Sequence, residues 1–155
     1  MFETNVGAGL PVIDTLNNLI ASGDEILKIQ AILSGSLNFV FNNFTRETLF
    51  KDIVQKAQEE GYTEPDPKID LSGIDVARKI LILARESGFP LELEDISNKS
   101  FLPQDVLNTT SNEAFYKMIN KNEEHFQAIL AKANEKGARL KYVAQLENGK
   151  ASVGL

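Results

Sequence analysis

The 155-residue sequence contains no cysteine and a single histidine, His125. Without thiols there is no disulfide framework and no thiolate nucleophile or metal ligand. His125 lies between Glu124 and Phe126 in a helical stretch and reads as a surface or boundary residue rather than a base. Basic charge is scarce too: the formal net charge is -6. That balance argues against nucleic acid or an anionic membrane as the main partner, because both require a basic face. An anionic cofactor needs only a local positive patch and is not excluded. No apolar run approaches the roughly 20 residues needed to span a bilayer. The first residues, Met1-Phe2-Glu3-Thr4-Asn5, lack the basic and apolar regions of a signal peptide. Taken together, these absences predict a soluble, cytoplasmic protein. Also missing is a G-x-G-x-x-G motif within a βαβ unit, the usual cradle for a dinucleotide pyrophosphate.

What is present is a globular composition. Hydrophobic residues make up 43%, enough for a buried core, and the length suits one domain over residues 1–155. Val12, Ile13, Leu16, Leu19 and Ile20 repeat at helical spacing after Pro11, with Gly23 as the stop. Ile26 to Leu33 reads as a largely buried strand, and Leu37 to Phe44 as a short helix. Thr48 is positioned to cap a helix running to about Glu60, with Leu49, Phe50, Ile53, Val54 and Ala57 inward. The prolines of Tyr62–Leu71 predict a loop without regular helix. Ser72 then starts a helix that ends near Gly88, and further helices are expected at Pro103–Leu107 and Asn112–Lys136, with a break near Asn120–Asn122. Arg139–Leu146 and Lys150–Leu155 flank Asn148-Gly149, a favoured tight-turn pair, and form a hairpin. The chain stops inside the second of these strands, which suggests a truncated domain with an unpaired strand edge that favours a homodimer. The expected class is α+β: a mixed sheet with helices packed on one face.

The densest polar cluster lies between Gly61 and Lys79. Glu64, Asp66 and Asp70 stand on a Pro-rich loop feeding a helix on which Asp75 and Lys79, four residues apart, share a face. Carboxylates can hold a substrate ammonium or hydroxyl group, and a lysine can give or take a proton. Spacing alone leaves a plainer alternative open. Ser72 with Asp75 matches a helix N-cap signature, and Asp75 with Lys79 matches an ordinary surface ion pair. The loop Gly7-Ala8-Gly9-Leu10 lacks the third glycine of a dinucleotide fingerprint and has no good strand before it. By itself it reads as a tight turn before a helix.

Taken whole, Gly61-Tyr62-Thr63-Glu64-Pro65-Asp66-Pro67, followed by Asp70-Leu71-Ser72-Gly73-Ile74-Asp75-Val76-Ala77-Arg78-Lys79, resembles the signature of homoserine dehydrogenases. Glu3–Ile13, Ile32–Asn38 and Ile82–Glu86 are similar to the same family, above all to the dehydrogenase region of bifunctional aspartokinase–homoserine dehydrogenases. Position 69, isoleucine here, often carries another acid in that family.

The resemblance implies an oxidoreductase interconverting L-homoserine and L-aspartate 4-semialdehyde with NAD or NADP, in threonine and methionine biosynthesis. Lys79 would be the proton donor, Glu64 and Asp75 would bind the amino acid, and Asp70 would help hold the site. Gly61 would lie against the nicotinamide. Glu3, through its carboxylate, and Val6, Ala8 and Leu10, through their carbonyls, would bind a monovalent cation, sodium. The resemblance also implies a homodimer, an aspartokinase fused in the parent chain, and a separate nucleotide-binding Rossmann domain absent from this chain. The isolated chain is therefore expected to be inactive. The rival reading is a dimerisation module that kept the fold and lost the chemistry; intact Glu64, Asp75 and Lys79 count against it.

Overall fold

A computed structural model describes residues 3–155, with the backbone alone described for Glu3. The chain falls into two compact units. One is built from the chain through Leu33, Gly73–Lys99 and Val143–Gly154, the other from Ser34–Ser72 and Ser100–Tyr142 together with Leu155.

The first unit holds a mixed four-stranded sheet. Strand β1 (Lys28–Ala31) pairs antiparallel with β3 (Val143–Glu147), β3 antiparallel with β4 (Lys150–Gly154), and β4 parallel with β2 (Ser97–Lys99). The hairpin turns on Asn148 and Gly149, both in the left-handed region at φ 51° and 71°, the geometry that matches the twist of two-residue hairpins. Ala144, Leu146, Ala151 and Val153 are buried while Gln145, Glu147 and Ser152 are half-exposed, so one face of the hairpin is apolar. Helix α5 (Ile74–Glu86) packs on this hairpin with Val76, Ala77, Ile80, Leu83 and Ala84 buried, and helix α1 (Val12–Ala21) packs on α5.

The second unit is helical, with α2 (Gly35–Asn43), α3 (Phe50–Glu59), α4 (Pro67–Leu71), α6 (Gln104–Leu107), α7 (Asn112–Lys121) and α8 (Glu123–Glu135). Its centre is aromatic. Phe50 is fully buried, stacks on Phe126 at 4.1 Å and meets the edge of Phe44 at 5.1 Å, offset and edge-on contacts that suit the ring quadrupole. The break between α7 and α8 falls at Asn122, as expected.

Six local expectations are corrected. Thr48 does not cap α3: it accepts from the Thr45 N–H at 2.9 Å, whereas the Phe50 N–H is taken by both carboxylate oxygens of Glu123, at 3.1 and 2.9 Å. Leu49 is consequently exposed rather than inward. The strand expected at 26–33 is confined to β1, which sits at a sheet edge and leaves Leu27 74% and Ile32 46% exposed. A short helix does form within the Pro-rich segment: Pro67 occupies its first turn, where no N–H is required, and the Asp66 carboxylate accepts from the Lys68 N–H at 3.0 Å. Ser72 ends α4, donating to the Ile69 carbonyl, and it is Gly73 at φ 74° that opens α5. Finally, β4 has neighbours on both sides, because β2 covers the edge that the hairpin was expected to leave open.

Candidate active site

The expected site residues divide between the two units: Gly61, Glu64 and Asp70 belong to the helical one, Asp75 and Lys79 to the sheet-bearing one. Gly61 terminates α3. The Gly61 N–H reaches the Gln58 carbonyl at 3.1 Å and the Tyr62 N–H reaches that of Ala57 at 2.8 Å, a helix-ending pattern that requires a left-handed residue. Gly61 supplies it at φ 76°, and a Cβ placed there would meet no atom within 4 Å. The chain then enters the acidic loop. Asp70, in α4, accepts the Glu64 N–H on one carboxylate oxygen at 2.9 Å and the Ser36 hydroxyl on the other at 2.9 Å. Asp70 thus shapes the loop on which Glu64 stands exposed.

In the other unit, Lys79 and Asp75 lie one turn apart on α5. The Lys79 ammonium is 2.7 Å from Asp75 Oδ2 and donates to the Leu33 carbonyl at 3.0 Å. An ammonium has three N–H donors, and these two contacts engage two of them. The lysine is held in a fixed orientation, its side chain 25% exposed against 51% for Asp75. The Leu33 carbonyl escaped sequence reasoning because any residue supplies a carbonyl. Ser36 escaped it as well, although a small hydroxyl ahead of the apolar Leu37, Val40 and Phe41 was a signal.

The loop expected to hold a cation is a tight double turn. Gly7 (φ 82°) and Ala8 (φ 52°) are both left-handed, the Leu10 N–H donates to the Gly7 carbonyl at 3.0 Å, and the Val12 N–H to the Leu10 carbonyl at 2.8 Å. The Glu3 carboxylate lies outside the described residues. No group of three or more His, Cys, Asp or Glu side chains able to hold a metal occurs among the described residues. His125 is tied to the Phe101 carbonyl at 2.9 Å. Among the described residues no helix is long and apolar enough to cross a membrane.

Among the described residues, four strands in one mixed sheet and eight α-helices make this an α+β chain carrying an acidic loop and a lysine-bearing helix. The family model for homoserine dehydrogenase matches residues 11–155, and the chain belongs to the homoserine dehydrogenase family. A bifunctional aspartokinase/homoserine dehydrogenase of Haemophilus influenzae is 45% identical over 155 residues, covering 100% of this chain and 19% of that protein. A Schizosaccharomyces pombe homoserine dehydrogenase is 40% identical over 153 residues, covering 95% of this chain and 41% of that protein. Among solved structures, one from Archaeoglobus fulgidus, provisionally named a homoserine dehydrogenase, matches with a TM-score of 0.73 at 28% identity, covering 99% of this chain and 42% of that one. The chain therefore spans less than half the length of each.

Proposed function

We propose that this chain supplies the substrate-binding and proton-donating part of an NAD(P)-dependent homoserine dehydrogenase, acting between L-homoserine and L-aspartate 4-semialdehyde in threonine and methionine biosynthesis. The observation that carries this reading is the Lys79 ammonium, oriented by Asp75 and the Leu33 carbonyl. During reduction Lys79 donates a proton to the aldehyde oxygen; during oxidation it takes that proton back from the hydroxyl. Asp75 and Glu64 bind the amino acid through its hydroxyl and ammonium groups, and Asp70 holds the loop of Glu64. These assignments to the amino acid rest on the family signature.

The nicotinamide cofactor, when bound, supplies or accepts the hydride, which is beyond any side chain. The open space beside Gly61 fits a flat ring approaching the backbone. The curled backbone of Gly7 and Ala8 suits a ring of carbonyls around sodium, since a carbonyl already accepting one N–H keeps a second lone pair. A homodimer accords with the exposed apolar residues Leu27 and Ile32 flanking the edge strand β1. In this reading residues 1–155 form one catalytic and dimerisation domain of a longer protein, of the kind fused to an aspartokinase in relatives.

Homoserine-dependent reduction of NAD or NADP, followed by absorbance, tests the proposal. The full-length protein should turn over, and the 155-residue chain alone should not, because its sequence has no glycine-rich cradle for the pyrophosphate. An inactive full-length protein would favour a non-catalytic interaction module. Turnover by the chain alone would place cofactor binding within these residues.

A further inference from the structure

Ser36 and Thr109 are the buried polar residues among those described, and Ser36 is 5% exposed. Thr109 closes a turn within its own segment, donating to the Val106 carbonyl at 2.7 Å. Ser36 reaches much further. Its hydroxyl donates to Asp70 Oδ1 at 2.9 Å, 34 residues along the chain, and lies 2.9 Å from Ser34 Oγ. Ser34 in turn caps α2, its hydroxyl accepting from the Leu37 N–H at 3.1 Å. The second Asp70 oxygen receives the Glu64 N–H. One continuous chain of hydrogen bonds therefore runs from the first turn of α2 to the backbone of Glu64.

A second contact starts from the same helix face. Phe39, three residues after Ser36, stacks on Tyr62 with ring centroids 4.3 Å apart and an interplanar angle of 23°. Residues spaced by three share a helix face, so α2 grips the loop at both Tyr62 and Glu64. A hydroxyl bonded to a carboxylate makes a charge-assisted bond, stronger and more directional than a neutral one. Burial of Ser36 keeps water from competing for it.

We propose that Ser36 is a positioning residue for the amino-acid site: by orienting the Asp70 carboxylate, it fixes the backbone from which Glu64 meets the substrate ammonium. This rests on the reading of Glu64 given above. Asp70 is the relay, with one oxygen toward Ser36 and the other toward Glu64. Ser36 itself touches no substrate.

The test is steady-state kinetics of the full-length enzyme with Ser36→Ala, Ser36→Thr and Glu64→Gln, together with the double variant Ser36→Ala/Glu64→Gln and thermal midpoints throughout. Ser36→Ala should raise the KM for homoserine about tenfold, within the range that losing a hydrogen bond to a charged group allows. Its kcat should fall by less than about threefold, and the cofactor KM should not move. Ser36→Thr, which keeps the hydroxyl, should restore the homoserine KM. In the double variant the two effects should overlap rather than multiply, as expected for residues acting through one another. If Ser36→Ala lowers the thermal midpoint and leaves KM alone while Glu64→Gln raises it, the positioning role is overturned and the reading of Glu64 stands. If Glu64→Gln leaves KM unchanged, both fall. Should Ser36→Ala fail to fold, Asp70→Ala breaks the same relay at its half-exposed end, and an unaltered homoserine KM there would overturn the proposal.

Discussion

Replacing Lys79 separates a catalytic lysine from an ordinary helix ion pair, because the two roles predict losses of different size in different measurements. In the folded chain Lys79 makes one i,i+4 pair with the half-exposed Asp75 and one bond to the Leu33 carbonyl. A solvent-screened pair of this kind is worth about 0.3–0.5 kcal/mol, and the carbonyl bond about 1 kcal/mol net. Alanine recovers a few tenths through helix propensity. Lys79→Ala should therefore cost about 1 kcal/mol of stability, small against a domain's total of about 5–15 kcal/mol. Loss of a general acid instead lowers kcat by about 10²–10⁴-fold, or about 2.7–5.4 kcal/mol of barrier. Lys79→Arg sharpens the contrast. Guanidinium keeps a positive charge beside Asp75 but does not release a proton near neutrality, so stability should hold while kcat remains low. The assay is steady-state kinetics of the full-length enzyme in both directions, with urea unfolding of the same preparations. A Lys79→Ala enzyme within about threefold of the parental kcat, or a fully active Lys79→Arg enzyme, would reduce this residue to a structural ion pair.

Gly61→Ala places a side chain at φ 76° with no atom within 4 Å of the new Cβ, so its folding cost is the left-handed backbone alone, about 1–2 kcal/mol. If the nicotinamide lies there, the cofactor KM should also rise severalfold; an unchanged cofactor KM would leave Gly61 as a helix terminator only. Burial pushes the Tyr142 hydroxyl from its ordinary value of 10.0 up to about 12, and burial with the Glu59 charge does the same for Tyr116. Unfolding returns both to their ordinary range, so the unfolded chain gives up these protons first: the stability they contribute is complete below about pH 10 and is lost as pH rises toward about 12. Urea midpoints should fall across that window, and fall less in Tyr116→Phe and Tyr142→Phe; parallel declines in parent and variants would contradict the assignment.

Much of the site's outline was legible because its signals are local. Asn148-Gly149 demanded a tight turn through the left-handed torsions those residues tolerate, and the turn is there. Gly61 ended α3 for the same reason. Asp75 and Lys79 were bound to meet once their segment was helical, because a four-residue step returns to the same face. The long signature from Gly61 to Lys79 pointed to the family on residue identity alone, and the family match over residues 11–155 agrees with it.

The rest depended on which segments arrive beside one another, and no local pattern encodes that. Glu123 caps α3 from 73 residues away, displacing the adjacent Thr48, because a carboxylate brought up by α8 satisfies the first N–H more strongly than a hydroxyl can. Ser97–Lys99 has no β-branched or aromatic residue and becomes a strand only because β4 offers it a parallel neighbour. The apolar run at 26–33 promised burial, but its place at the sheet edge leaves Leu27 and Ile32 in solvent. Asp70 was legible as an acid in a polar loop. That one oxygen faces a buried serine and the other the backbone of Glu64 was set by the packing of α4 against α2, since a hydrogen bond depends on distances that only the folded chain brings within reach.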